Sequence, residues 1–157
     1  RCLRPRQHDC GRDRHRLTRD AGVSTLLFVY GTLKRGCCNH AHLAGQQFIG
    51  DARTGSGHRL HDMGGYPGLV AAAGEPGSVE GEVWSVDSIA LARLDAFEGV
   101  AEGLYRRAPI ALQPPFADRP IEAYWPVGPV ENFRVVGPVW RELIQGTRGE
   151  GRTDTRD

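Results

Sequence analysis

Residues 26–36 read Leu26-Leu27-Phe28-Val29-Tyr30-Gly31-Thr32-Leu33-Lys34-Arg35-Gly36. The continuous apolar run at the start predicts a buried strand, and the glycine that follows it predicts a tight turn. Gly31 and Gly36 permit backbone angles that other residues resist. Such a turn can direct successive N–H groups at an anion or a developing oxyanion, and Lys34 and Arg35 add positive charge nearby. On this stretch alone, a plain strand–turn junction is the simpler interpretation, because glycine-rich turns are common.

The second informative segment is Leu94-Asp95-Ala96-Phe97-Glu98-Gly99-Val100. Apolar residues at helical spacing predict a helix over 88–97, with Asp87 as N-cap and Gly99 at its C-terminal end. Glu98 would feel the negative end of the helix dipole beside apolar neighbours, and both effects raise the pKa of a carboxyl. A raised pKa suits a proton-shuttling carboxylate near neutral pH. By itself, however, a solvated glutamate at a helix end explains the position more simply.

The rest of the pattern consists mainly of strands. Asn39 is expected to cap a short helix over 39–43. Further strands are expected over 47–52, 58–63, 68–70, 79–86, 105–112 and 121–127. Many strands with one clear helix and one shorter one predict a mixed, barrel-like α+β domain.

The chain has 157 residues, which is room for one domain of ordinary size. We expect the folded unit to span 25–145. Residues 1–23 carry an excess of arginine, few large apolar residues and no periodicity, so a disordered extension is predicted there. The Gly-, Arg-, Thr- and Asp-rich segment 146–157 is expected to be a disordered tail.

Several classes of function are disfavoured by composition and motif. No apolar run approaches the roughly 20 residues of a membrane span, and no secretory signal follows the basic start. The net charge is only +1, arginine-rich ends are usually solvated tails, and no phosphate-loop motif is present, so we expect neither a membrane nor a nucleic acid as partner. The four cysteines have no zinc spacing, which favours a cytoplasmic protein with reduced thiols. A monomer is the default expectation.

Two other groups of reactive residues were weighed as sites. Cys38 with His40 or His42 suggests a thiol hydrolase, but no third, orienting group is evident, and an incidental loop thiol is the simpler interpretation. His58 and His61 suggest a metal site, but a spacing of three in a strand places the two imidazoles on opposite faces.

Five segments, in order, resemble the gamma-glutamylcyclotransferase-like family, and most of all its gamma-glutamylamine cyclotransferase branch. The resemblance covers about 26–127. The matching segments are Tyr30-Gly31-Thr32-Leu33 with the following Lys-Arg-Gly and Asn39-His40, Tyr66-Pro67-Gly68-Leu69-Val70, Val79-Glu80-Gly81-Glu82-Val83-Trp84, Leu94-Asp95-Ala96-Phe97-Glu98-Gly99 and Leu104-Tyr105-Arg106-Arg107. Any one of these segments is weak evidence for the family, but the five together in this order are specific for it.

The resemblance implies a small closed or nearly closed mixed β-barrel flanked by short helices. It implies an enzyme that releases an amine or amino acid from a gamma-glutamyl amide and forms 5-oxoproline, with neither a metal nor an organic cofactor. Glu98 would be the catalytic acid/base. The residues expected to bind the small-molecule substrate are Tyr30, Gly31, Thr32, Leu33, Tyr66 and Tyr105. The part of the pocket that contacts the leaving group is expected to be formed by loops 61–67, 100–104 and 128–134.

An alternative of another class is a binding or regulatory domain that has the same fold and pocket but no useful rate of catalysis. The two hypotheses differ in what they require of one residue. Catalysis requires Glu98 to lie at the base of the cavity formed by the Tyr30–Leu33 loop. If Glu98 points to solvent, the enzyme hypothesis is excluded.

Overall fold

The computed structural model describes residues 22–142. The tail predicted over 146–157 lies outside this range, as does the extension predicted over 1–23 except for its last two positions. The described elements are β1 (Thr25–Val29), a short 3₁₀ helix (His40–Leu43), β2 (Gln47–Arg53), β3 (His58–Asp62), β4 (Pro67–Ala71), β5 (Glu80–Val86), α1 (Ser88–Phe97), β6 (Tyr105–Pro109), β7 (Ile121–Pro126) and β8 (Val135–Val136).

Strand β1 is the centre of a five-stranded mixed sheet with the order β2-β5-β1-β7-β6. It pairs antiparallel with β5 and parallel with β7. Its side chains alternate between two buried clusters: Phe28 and Tyr30 enter one, and Leu27 and Val29 enter the other. Because both faces of the strand are covered, all four positions after Thr25 are apolar, and the continuous run in the sequence is explained.

The two faces of this sheet are covered by different elements. A second, three-stranded sheet with the order β4-β3-β8 contributes Leu60 and Leu69 to the cluster around Phe28. Helix α1 and the 3₁₀ helix contribute Leu94 and Leu43 to the other cluster. The result is a mixed α+β fold with a sheet-rich core, as the sequence predicts.

The expected closed or nearly closed barrel is not found among the described strands. Strands β2 and β6 are the open edges of the five-stranded sheet, and the three-stranded sheet is separate. Beyond their ends, the two edges meet in one isolated bridge, between Thr54 and Leu112. At this bridge the Gly55 N–H donates to the Ala111 carbonyl at 3.0 Å and the Gln113 N–H donates to the Arg53 carbonyl at 2.8 Å.

The helix boundaries test three predictions about single residues. Asp87 is the N-cap of α1, because its carboxylate accepts a hydrogen bond from the Ala90 N–H at 2.8 Å. Gly99 follows the C-cap residue Glu98 with φ +66, in the left-handed region that glycine tolerates best. Asn39 is the N-cap residue of the 3₁₀ helix, as predicted, but its side chain makes no capping bond and instead donates to Thr32 Oγ1 at 3.1 Å.

Two further observations concern the class of protein. Within residues 22–142, no helix combines the length and the apolar character that a membrane crossing requires. Cys37 is a free thiol, whereas Cys38 is disulfide-bonded, so the expectation of reduced thiols fails at Cys38.

Candidate active site

A cleft of about 380 Å³, part of it open to solvent, lies where β1 ends. It is called the inner cleft here. Both features that the sequence singles out, the turn after β1 and the glutamate after α1, contribute to its wall. The residues that line it are Phe28, Val29, Tyr30, Gly31, Thr32, Leu33, Tyr66, Pro67, Glu98, Tyr105 and Tyr124. All seven residues predicted to act on or bind the substrate are therefore brought together, including Glu98.

The turn after β1 presents unused backbone donors. Its carbonyls are occupied: Gly31 O accepts from Lys34 N–H at 3.1 Å, and Thr32 O accepts from Asn39 N–H at 3.0 Å. The N–H groups of Gly31, Thr32 and Leu33, in contrast, have no acceptor among residues 22–142. Three successive N–H groups without an internal partner, in residues that line a cleft, form a cradle suited to a carboxylate or an oxyanion.

Gly31 is required for space rather than for a special backbone angle. A Cβ at this position would lie 2.6 Å from Pro67 Cγ, which is closer than such atoms can approach. Its φ does not fall in the left-handed region, whereas that of Gly36 does, at +79. The first glycine therefore lets β4 approach the cradle, and the second turns the chain away from it.

The charges beside the turn are used within the protein. Arg35 pairs with the buried Glu82 at 3.1 Å and with Asp51 at 2.9 Å, and Glu82 also accepts the Arg35 N–H. Lys34 Nζ donates to the Trp140 carbonyl at 2.8 Å. These residues hold the turn in place. The two cations that were expected to add positive potential at the cradle are therefore engaged with internal partners. The donors that remain free at the cradle are its backbone N–H groups.

Glu98 is the C-cap residue of α1 and is half-buried in the wall of the inner cleft. Its N–H donates to the Leu94 carbonyl at 2.8 Å, which fixes the backbone at the helix end. Burial raises the pKa of Glu98 to about 7. The direction agrees with the prediction, and the cause is the loss of solvent around the carboxyl. A carboxyl with this pKa is present in both protonation states near neutral pH.

Two of the predicted tyrosines, Tyr30 and Tyr105, have different environments. The Tyr30 hydroxyl donates to the Tyr124 carbonyl at 2.6 Å and accepts the Leu69 N–H at 3.3 Å, so it is fully engaged within the protein. The Tyr105 hydroxyl makes only a long contact of 3.4 Å with the Pro67 carbonyl. Burial, and then the charge of Glu98, raise the pKa of Tyr105, which keeps its hydroxyl protonated. Tyr105 is therefore the better placed donor.

An ion-pair network fixes the helix that carries Glu98. On α1, Asp95 accepts two hydrogen bonds from Arg107 of β6, at 3.0 and 3.2 Å, and a third from the Tyr124 hydroxyl at 2.7 Å. Arg107 also pairs with Glu122 of β7. This bidentate geometry is the strong form of an Arg–carboxylate contact. Both partners fall in the segments that carry the family resemblance, but only the packing of α1 against the sheet brings them together.

A second and wider cleft of about 1810 Å³, much of it open to solvent, adjoins the inner one. It is called the outer cleft here. The two clefts share Thr32, Tyr66, Glu98 and Tyr105 as wall residues. Loops 61–67, 100–104 and 128–134 all contribute residues to the outer cleft. The other residues lining it are Asn39, Met63, Gly64, Phe97, Gly103, Leu104, Pro126, Gly128, Pro129 and Phe133.

The alternative sites are not assembled in either cleft. His40 Nδ1 lies 2.9 Å from the Leu33 carbonyl, and neither it nor Cys38 lines the inner or the outer cleft. His58 and His61 are occupied at Nδ1 by the carbonyls of Gly55 and Phe133. Across residues 22–142, no group of three or more His, Cys, Asp or Glu side chains could hold a metal ion.

The described fold and site define a class: an α+β protein in which a cradle of free backbone N–H groups and a half-buried carboxyl line the same cleft. Comparison with known proteins gives the family. The model of the gamma-glutamyl cyclotransferase, AIG2-like family matches residues 27–135. The chain belongs to this family.

Individual relatives agree with this membership. A Vibrio cholerae protein named provisionally as a gamma-glutamylcyclotransferase is 43% identical over 99 residues, which are 63% of this chain and 81% of that protein. The human gamma-glutamylaminecyclotransferase is 39% identical over 95 residues, which are 56% of this chain but less than two thirds, 61%, of the human protein. The crystal structure of an AIG2-like protein from Mus musculus superposes with a TM-score of 0.64 at 26% identity, covering 84% of this chain and 99% of that one.

Proposed function

We propose that this chain is a gamma-glutamyl cyclotransferase that releases an amine from a gamma-glutamyl amide and forms 5-oxoproline, with Glu98 as its acid/base. The observation that carries the proposal is the shared cleft: Glu98, with its pKa raised to about 7, lines the same cavity as the N–H cradle of Gly31, Thr32 and Leu33. The enzyme hypothesis requires this arrangement. A glutamate that pointed to solvent would not be compatible with it.

The reaction needs no nucleophile from the protein, because the substrate's own α-nitrogen attacks its γ-carbonyl carbon. The enzyme must fold the glutamyl chain so that these two atoms meet, which is a proximity effect. The inner cleft is small and has the aromatic residues Tyr66 and Tyr105 in its wall, which suits a folded glutamyl group. The cradle N–H groups would hold the α-carboxylate or the oxyanion that develops on the γ-carbonyl oxygen.

Glu98 accounts for the protons. The α-nitrogen begins as an ammonium with three protons and ends with one in the lactam ring. The leaving nitrogen begins with one proton in the amide and ends with three as an ammonium. Two protons therefore move between the nitrogens while one C–N bond forms and another breaks. A single carboxylate that accepts each proton and then delivers it can serve both atoms, provided that its pKa is near the working pH.

The test is an assay of 5-oxoproline formation from a panel of gamma-glutamyl donors with the wild type and with Glu98→Gln. We expect the variant to lose about 100-fold or more of kcat, because general acid/base catalysis typically contributes that much. Glu102→Gln is the matched control: it removes the same charge from an exposed position four residues along the chain and outside both clefts. An active wild type whose rate survives Glu98→Gln would show that the assignment of Glu98 is wrong.

A further inference from the structure

The last described residues, 138–142, return to the turn after β1 and are called the strap here. They follow β8 and form neither helix nor strand. The side chain of Trp140 is only 8% exposed and packs in the cluster around Phe28. The Pro138 carbonyl accepts the Glu80 N–H at 2.8 Å, where β5 begins. The strap is therefore docked on the body of the protein.

Two groups of the strap bind the turn directly. The Trp140 carbonyl accepts a hydrogen bond from Lys34 Nζ at 2.8 Å. The Glu142 carboxylate accepts the Cys38 N–H with both of its oxygens, at 2.9 and 3.1 Å. Each of these contacts has one charged partner, and such hydrogen bonds are roughly twice as strong as neutral ones. The strap therefore fixes the turn at two of its residues.

The peptide held by Glu142 is adjacent to the residue that holds the cradle. Asn39 follows Cys38, and its backbone N–H donates to the Thr32 carbonyl at 3.0 Å. The Asn39 side chain, which is buried, donates to Thr32 Oγ1 at 3.1 Å. A displacement of the Cys38 peptide would therefore reach Thr32, the middle residue of the cradle. A shift of about 1 Å in a catalytic group can cost about 100-fold in rate.

We propose that Glu142 is a positioning residue for the cradle and acts on it through Cys38 and Asn39. This inference rests on the proposed function for what the cradle binds. Glu142 lines neither the inner nor the outer cleft, so its effect on a bound ligand passes through the turn. Membership of the family does not imply this role, because the family model matches residues 27–135 and ends before the strap.

The geometry of the cradle is tested first, without a ligand. Glu142→Ala removes both acceptors of the Cys38 N–H, whereas Glu142→Gln keeps one acceptor oxygen. Arg141→Ala is the matched control, because its exposed side chain belongs to the strap and lines neither cleft. We expect Glu142→Ala to shift the amide NMR signals of the three cradle residues, Glu142→Gln to shift them less, and Arg141→Ala to leave them unchanged. The buffer is reducing, so that the disulfide of Cys38 does not hold the turn instead.

The consequence for the site is measured by calorimetric titration with 5-oxoproline, the proposed product, which requires no turnover. We expect Kd to rise about tenfold in Glu142→Ala, to stay within about threefold of the wild type in Glu142→Gln, and to be unchanged in Arg141→Ala. A purely structural role would give a different result. Partial unfolding lowers the number of sites that bind, but it leaves the Kd of the folded molecules unchanged, and that outcome would overturn the inference.

This inference and the proposed function can fail separately. If the wild type forms no 5-oxoproline from gamma-glutamyl donors but the cradle signals and Kd respond to Glu142→Ala as expected, the proposed function fails and the role of Glu142 stands. If Glu142→Ala leaves the cradle signals unchanged, or if Arg141→Ala shifts them equally, the role of Glu142 is overturned, whatever the turnover. The amide signals decide this even for a protein that does not bind 5-oxoproline.

Discussion

The ionisation of Glu98 should control the rate between pH 6 and pH 8. As a base, Glu98 must be a carboxylate in the free enzyme, and kcat/KM reports the ionisation of free enzyme and substrate. With a pKa of about 7, about one tenth of Glu98 is ionised at pH 6 and about nine tenths at pH 8. We therefore expect kcat/KM to rise about tenfold over this range. A glutamate at its ordinary pKa of 4.5 would already be almost fully ionised at pH 6, and its rate would hardly change.

The assay is the initial rate of 5-oxoproline formation at low donor concentration, measured by liquid chromatography and mass spectrometry in half-unit steps from pH 3.5 to pH 9. Circular dichroism at each pH checks that the protein stays folded. Glu102→Gln should reproduce the wild-type profile, because its charge lies outside both clefts. A wild-type profile that is flat from pH 6 to pH 8, or an acid limb near pH 4.5, would refute the account of a carboxyl whose pKa is raised by burial.

Three further predictions concern the inner cleft. Gly31→Ala should lower kcat/KM by about 10- to 100-fold, because the added Cβ would clash with Pro67 and displace the cradle; Gly137→Ala, with nothing within 4 Å, should have no effect. Tyr30→Phe should lower the free energy of unfolding by about 1–3 kcal/mol in urea denaturation, since it strips a buried carbonyl and N–H of their partner, while KM changes little; a large KM change with unaltered stability would contradict this role. Glu98→Gln should match the wild type in stability at pH 4 and exceed it by about 1–3 kcal/mol at pH 8, because a folded-state pKa above the unfolded value favours the fold only while the carboxyl is protonated, and that contribution is lost as pH rises through about 7. Equal stability at pH 8 would contradict the burial of this carboxylate.

Local signals in the sequence predict the elements that carry the site. The uninterrupted apolar run before Gly31 predicts β1 because a strand covered on both faces has no polar positions, and the structure places that strand at the centre of the sheet. Asp87 and Gly99 mark the ends of α1 through capping chemistry that depends only on neighbouring residues. These features depend only on residues close together in the sequence, so local rules are sufficient to predict them.

The features that depend on distant pairing could not be predicted in this way. The contact between Asp95 of α1 and Arg107 of β6 exists because the helix packs against this part of the sheet, and no pattern within either segment specifies that packing. Likewise, the commitment of the Tyr30 hydroxyl to Tyr124 depends on the parallel pairing of β1 with β7. The position of Glu98 at the end of a helix could be predicted from local sequence. Its place in the wall of the inner cleft depends on how the whole fold is assembled.

The most direct test of the central claim is a crystal structure of the protein bound to 5-oxoproline, the proposed product. The account predicts that the ring occupies the inner cleft, that one of its oxygens accepts hydrogen bonds from the N–H groups of Gly31, Thr32 and Leu33, and that the Glu98 carboxyl lies within hydrogen-bonding distance of the ring nitrogen. A complex in which the ring binds elsewhere, or in which it fills the inner cleft while Glu98 points to solvent, would contradict it.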